Sequence, residues 1–277
     1  MMKKIISLFI PLVLTLVFSS CGGKEKANDT VDPDDSTKQA VQETRLNAQN
    51  VFNSMPDRKE ILKLIDENKI EYNPDHLNDP NLVDKYTVES AKAANLGIYG
   101  SDLSIASSFE QTQESVIFLK CVNVLAGDLG VNGAFDQRMF DRMDANKSQR
   151  DSTLEIITGA FKAADEILKT NNRPATSAII VAGAWIEGLY VSCKIAEGLK
   201  SEAVVKSILK QKESLRNLVI MLEAASLDAG SLYILNDLKT LNESYKKTES
   251  ADVVSIETIA DITATITSLR KKIIAGT

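Results

Sequence analysis

Apolar residues recur every three or four positions along most of the chain, which is the period of a helix with one buried face. The most apolar segment is 176–198 (TSAIIVAGAWIEGLYVSCKIAEG), and Glu187 is its only charged residue between Ala178 and Cys193. A membrane-spanning helix needs about 20 apolar residues, and an acid in the middle of such a span is expensive. We therefore predict that this segment is the central, buried helix of a helical domain.

The same periodicity predicts helices on both sides of this segment, and no run of alternating apolar and polar residues predicts a strand. Gly97 and Gly100 each cost about 1 kcal/mol relative to Ala inside a helix. Around them we expect a close helix crossing, a kink or an interruption that divides 87–129 into two helices. The predicted fold is all-α, an antiparallel multi-helix bundle of about seven to eight helices within residues 51–277. Its other helices are expected at 54–69, 136–143, 148 or 151–169, 199–222, 226–245 and 255–274, with a short turn at 79–85.

Particular residues mark the expected ends of several elements. Asp79 before Pro80 predicts a capped helical turn, and Thr87 is the expected cap of the helix that follows. Gly130 predicts the end of the 87–129 segment, because glycine readily adopts the left-handed conformation that closes a helix.

The amino terminus has the pattern of a secretory signal peptide in residues 1–20. Two lysines near the start precede a short apolar run at 5–18, and small residues follow it. Residues 16–23 (LVFSSCGG) resemble the lipobox of bacterial lipoproteins, and the Ser-Ser-Cys-Gly-Gly pattern is similar to that of the Bacteroidota. Phe18 departs from the commonest residue, Leu, at its position; the alternative is a plain secretory signal. The resemblance implies lipidation of Cys21 and attachment to the outer membrane, with the periplasmic and surface sides both open.

Residues 21–50 are polar and acidic, and they predict a flexible tether between the lipid and the helical domain. Removal of residues 1–20 would take away two of the 32 basic residues and none of the 38 acidic ones, which leaves a net charge of −8. An acidic surface repels nucleic acid, so we expect no nucleic-acid partner.

Glu187 allows two interpretations. It is either a buried carboxylate in a pocket or an acid at the edge of the helix, paired with a Lys or Tyr. Because buried acids are uncommon without a partner, the sequence favours the edge position.

Five residues are the predicted ligand-binding positions: Tyr99, Asp102, Glu114, Trp185 and Glu187. Asp102 and Glu114 would lie about 18 Å apart along one straight helix, so a shared site would need a second helix, such as the one carrying Glu187. The segments 96–103, 113–114 and 185–188 are similar to uncharacterised helical lipoproteins of the Bacteroidota, a resemblance that implies no known activity.

Metal and cofactor chemistry has little support in the sequence. Cys121 and Cys193 lie in apolar helical segments and are expected to be free rather than bridged; with His76 they form no zinc set. Residues 144–155 place oxygen side chains at calcium-loop spacing, but Gln149 replaces the required glycine, so we interpret them as a linker. Phosphate-loop, dinucleotide, zinc-protease and hydrolase motifs are absent. We therefore predict no metal, no cofactor and no catalytic residue.

The sequence favours a non-enzymatic module that binds a protein partner or a small ligand at the cell envelope. One alternative is an enzyme with an unrecognised carboxylate site in the helical domain. The other is a structural envelope protein that associates with itself.

Overall fold

The computed structural model describes residues 58–249 and 254–276. The predicted signal peptide, lipidated Cys21 and tether therefore lie outside the described residues. Within those two ranges the fold is all-α, as predicted, and no residue is in a strand. The ranges contain ten α-helices: α1 (Arg58–Glu67), α2 (Glu89–Ser108), α3 (Thr112–Leu129), α4 (Gln137–Ala145), α5 (Arg150–Thr170), α6 (Pro174–Leu199), α7 (Glu202–Leu209), α8 (Lys212–Ala224), α9 (Leu232–Thr248) and α10 (Ala260–Ala275).

The predicted count of seven to eight helices was wrong, because two long helical segments are each interrupted. The first break separates α2 from α3 at Glu110, whose backbone has a left-handed φ of 56°. The hydroxyls of Ser107 and Ser115 lie 3.2 Å apart across this turn. The second break separates α7 from α8 at Lys210 and Gln211. Neither break contains a glycine or proline, so neither had a strong local signal.

The predicted element ends at Asp79 and Gly130 are confirmed. The Asp79 carboxylate accepts a hydrogen bond from the backbone of Asn81 and begins the 3₁₀ turn Pro80–Lys85. Gly130 ends α3 with a left-handed φ of 73°. The expected cap at Thr87 was wrong: α2 begins after Val88, and no side chain caps it.

Helix α6 is the central core helix. It packs most extensively against α2 and also contacts α5, α7, α8 and α10. Among the described residues it is the one helix long and apolar enough to cross a membrane. In its most apolar window, 67 % of the residues are buried inside the fold, as expected for a core helix.

Two glycines allow α2 and α6 to touch backbone to backbone. A Cβ atom built on Gly97 would lie 2.1 Å from the carbonyl oxygen of Ile180, and one built on Gly183 would lie 2.0 Å from that of Ala94. Gly97 therefore marks a close crossing inside an unbroken helix, which was one of the predicted alternatives.

Substitution of Gly97 by Ala should lower the free energy of unfolding by at least about 2 kcal/mol, because the added methyl group forces two backbones apart. Gly159→Ala on α5 is the matched control, since its Cβ would meet no atom within 4 Å. There the gain in helix propensity should stabilise the protein by about 0.5–1 kcal/mol. Urea unfolding followed by circular dichroism measures both changes; equal effects of the two substitutions would contradict the close crossing.

Candidate functional site

Glu187 lies in the interior and forms an ion pair with Arg270 of α10. Its side chain is 0 % exposed, so the expected edge position was wrong. Arg270 donates from Nε and Nη2 to the two carboxylate oxygens at 2.5 and 2.6 Å. Burial of an acid at this position is tolerated because both of its oxygens receive charge-assisted hydrogen bonds.

Sequence reasoning missed Arg270, which is 83 residues away from its partner. Arg270 precedes Lys271 and Lys272, and such a basic run is typical of a solvated face. A signal was nevertheless present, because Arg270 continues the buried helical stripe of Ile266 and Ile273.

Asp102 joins the same buried cluster from α2. Its Oδ2 accepts a hydrogen bond of 3.2 Å from the backbone N–H of Asn78, whereas its Oδ1 is buried and has no hydrogen-bond partner. A buried acid close to the charge of a second buried acid is favoured in its protonated form, because burial and like charge both oppose its ionisation. Both oxygens of Glu187 already bind the guanidinium of Arg270, so we assign the proton to Asp102.

The electrostatics of the cluster favour this assignment. Burial and the neighbouring charge of Glu187 raise the pKa of Asp102 well above its ordinary value, and Arg270 opposes them only in part. One guanidinium, one carboxylate and one neutral acid leave the buried group without net charge. The Tyr190 ring covers the guanidinium, with Cζ of Arg270 4.1 Å from the ring centroid.

Tyr99 and Trp185 are buried, and their polar atoms bind other parts of the protein. The Tyr99 hydroxyl donates to the carbonyl oxygen of Asp79 at 2.8 Å. Trp185 donates from Nε1 to the hydroxyl of Ser214 at 2.6 Å and so connects α6 to α8. Of the five predicted positions, Asp102 and Glu187 are in direct contact, whereas Glu114 lies elsewhere.

Glu114 lies in the first turn of α3 and lines a surface groove of about 290 Å³. This groove, called the α3 groove below, runs between α3 and the segment that follows α1. Its lining residues are Tyr72, Pro74, Asp75, Leu77, Asn78, Asp79, Pro80, Glu114, Ile117 and Phe118. Asn78 belongs to both sites, because its backbone also binds Asp102.

Tyr72 in the α3 groove was not predicted from the sequence. Its ring packs on Phe109 with a centroid separation of 5.7 Å, and its buried hydroxyl has no hydrogen-bond partner. Burial, followed by the negative charge of Glu114, raises the pKa of Tyr72 to about 12. The hydroxyl is therefore protonated at neutral pH and can donate a hydrogen bond.

A second groove lies between α6 and α10, with Lys194, Glu197, Thr263 and Thr267 in its lining. Lys194 and Glu197 form an ion pair of 2.7 Å, so its charges compensate each other.

Cys121 and Cys193 are free and buried, as predicted. Burial raises the pKa of Cys121 to about 11 and that of Cys193 to about 12, so neither is a reactive thiolate at neutral pH.

The predicted linker at 144–155 spans the end of α4 and the start of α5. There the Asp144 carboxylate binds Lys147 at 3.1 Å. Across the two described ranges, no group of three or more His, Cys, Asp or Glu side chains has the arrangement of a metal site.

Comparison of the chain with models of protein families, with curated proteins and with solved structures gave no match. Function is therefore inferred from the chemistry of the chain itself.

Removal of one partner of the buried ion pair should be strongly destabilising, because the other charge remains buried without compensation. We expect Arg270→Met to lower the free energy of unfolding by about 3–5 kcal/mol, and Glu187→Gln by more than about 2 kcal/mol. The double substitution Glu187→Gln with Arg270→Met should lose less than the sum of the two single losses, as measured in a double-mutant cycle by urea unfolding. Arg216→Met, on the exposed face of α8, is the control and should change stability by less than about 0.5 kcal/mol. Additive losses would show that the two side chains act independently.

Asp102→Asn should change the pH dependence of stability. Because the pKa of Asp102 is raised in the folded protein above that of the unfolded chain, its contribution to stability is complete in acid. That contribution is lost as the pH rises from about 4 through the raised pKa of the folded state. Asparagine is neutral at every pH and keeps an oxygen that can accept the hydrogen bond from Asn78. The variant should therefore gain stability relative to the wild type by up to about 1.4 kcal/mol per pH unit over this interval.

The measurement is urea unfolding between pH 4 and pH 9. Asp141→Asn on the exposed face of α4 serves as the control, and its curve should run parallel to the wild type. A parallel curve for Asp102→Asn as well would mean that Asp102 is ionised in the folded protein.

Proposed function

We propose that this protein is a lipid-anchored, all-helical binding module of the bacterial cell envelope. The observation that carries the proposal is the lipobox-like sequence at 16–23, which follows a basic start and a short apolar run. Cys21 would carry the lipid, and residues 21–50 would hold the helical domain away from the outer membrane.

The geometry of the acids supports binding over catalysis. A general acid or base must come within hydrogen-bond reach of its substrate. Asp102 and Glu187 are fully buried, and Arg270 occupies both oxygens of Glu187. These residues stabilise the contact of three helices, whereas the α3 groove presents its carboxylates at the surface.

Each of the two alternative functions, an enzyme and a self-associating structural protein, is supported by one observation. An enzyme is supported by the raised pKa of Asp102, since strongly raised carboxyl pKa values are enriched at active sites. A self-associating structural protein is supported by exposed apolar residues on α3, among them Val116 and Val124. We also propose that the ten helices form an antiparallel bundle, which is supported by the short connection that reverses the chain between α2 and α3.

Cys21→Ala should abolish lipidation of the full chain. Cells fed an alkyne-tagged fatty acid should label the wild type, and the Cys121→Ala control should be labelled equally. The label reports the bond to Cys21 even where an uncleaved leader keeps the variant in the membrane. Label on the Cys21→Ala variant would contradict the anchor.

The binding part of the proposal is tested on the wild type from the same cells. Native mass spectrometry of the gently purified chain should show an added mass that dissociates on denaturation. A bare chain, together with the absence of crosslinked partners in intact cells, would contradict it.

A further inference from the structure

The charged residues that line the α3 groove are all acidic. Asp75, Asp79 and Glu114 line it, and no Lys, Arg or His is among its lining residues. The Asp79 carboxylate is occupied in capping the Pro80–Lys85 turn, whereas Asp75 and Glu114 form no ion pair with any residue that the structure describes. The second groove differs in this respect, because its Lys194 and Glu197 neutralise each other.

The walls of the α3 groove combine apolar and aromatic surface with these acids. Tyr72 and Phe118 contribute rings, and Leu77 and Ile117 contribute aliphatic surface. The Tyr72 hydroxyl is a buried donor without a partner. A long side chain with an apolar stem and a cationic end matches this combination, because aromatic rings and carboxylates both attract a cation.

The groove continues into an exposed, largely apolar stripe along the outer face of α3, which also contains the exposed Lys120. Val116, Ile117 and Val124 are 47 %, 44 % and 42 % exposed, and Ile117 belongs to both the groove and the stripe. Gly127 lies at the far end, where an added Cβ would meet no atom within 4 Å. From Val116 to Val124 the stripe extends about 12 Å along the helix. A small cation would fill the groove and leave this stripe bare, whereas a polypeptide segment would cover both.

The floor of the groove is held in place from beneath. Asp102 binds the backbone N–H of Asn78, and Tyr99 donates to the carbonyl oxygen of Asp79. The thiol of Cys121 also lies 3.7 Å from the carbonyl oxygen of Pro80. A site anchored in this way loses little conformational entropy when it is occupied.

We propose that the α3 groove and the exposed stripe dock a segment of a partner protein, with a Lys or Arg side chain of that partner in the groove. This inference rests on the proposed binding function and adds its location and the chemistry of the partner. Glu114 supplies the main charge contact, and Val116 and Ile117 supply the apolar contact beside it.

The test uses the full chain in detergent and three labelled helical peptides of one amphipathic Leu/Ala sequence. The peptides differ at a single residue, which is Lys, norleucine or Glu. In fluorescence anisotropy, the Lys peptide should bind with a Kd at least about tenfold lower than that of the norleucine peptide, and the Glu peptide should bind weakest. Glu114→Gln should remove the preference for Lys, whereas the matched control Glu213→Gln on exposed α8 should keep it.

A second variant tests the apolar stripe separately. Val116→Ser should weaken binding of the Lys and norleucine peptides by the same factor, because it removes apolar contact and no charge. Circular dichroism of each variant confirms that the fold is intact.

Several outcomes would overturn the inference: no peptide bound, equal affinity for Lys and norleucine, or equal effects of Glu114→Gln and Glu213→Gln. Tight binding of agmatine or butylammonium alone would overturn it in favour of a small organic cation. Native mass spectrometry distinguishes this failure from failure of the proposed binding function. If the purified chain still carries an added mass, the binding function stands and the binding site lies outside the α3 groove.

Discussion

The ion pair between Glu187 and Arg270 joins helices that are far apart in the sequence, and it lies where α2, α6 and α10 meet. Removing two charges from water is expensive, and the attraction between them compensates only when the geometry is good and the remaining hydrogen-bonding capacity is used. Here the guanidinium binds both carboxylate oxygens, Tyr190 covers its face, and the buried Asp102 lies close enough for the charge of Glu187 to raise its pKa. Such a cluster restricts how α10 can dock, because a shifted helix would leave a charge buried without its partner.

The contact between Asp102 and Glu187 depends in turn on the glycines of the α2–α6 crossing. Gly183 lies one turn before Glu187, and its Cα is close to the backbone of Ala94. A Cβ built on Gly188 would lie 3.7 Å from the hydroxyl of Ser101, so the close approach continues to the position of the acids. Two helices this close force facing side chains into contact, and two facing acids remain stable there because one is protonated.

The surface groove is connected to this interior through one backbone group. Asn78 lines the α3 groove, and its N–H is bound by the buried Asp102. The interior cluster therefore positions the segment whose outer side carries Asp75 and Asp79. This arrangement separates two roles of the acidic residues: the buried acids hold the helices, and the exposed acids remain available to a partner.

Local patterns were enough to predict the helical class, the core position of 176–198 and the ends at Asp79 and Gly130, because period, capping and left-handed glycine act within a few residues. They also selected Asp102 and Glu187 as unusual acids among apolar neighbours. They could not supply Arg270, 83 positions away, and without that partner a fully buried Glu187 was disfavoured. The acidic groove around Tyr72 likewise depends on contacts between elements distant in sequence, whereas the break at Glu110 has no glycine or proline to mark it. Only the tertiary structure decides such features, because the energy of a buried charge depends on the groups that surround it in space.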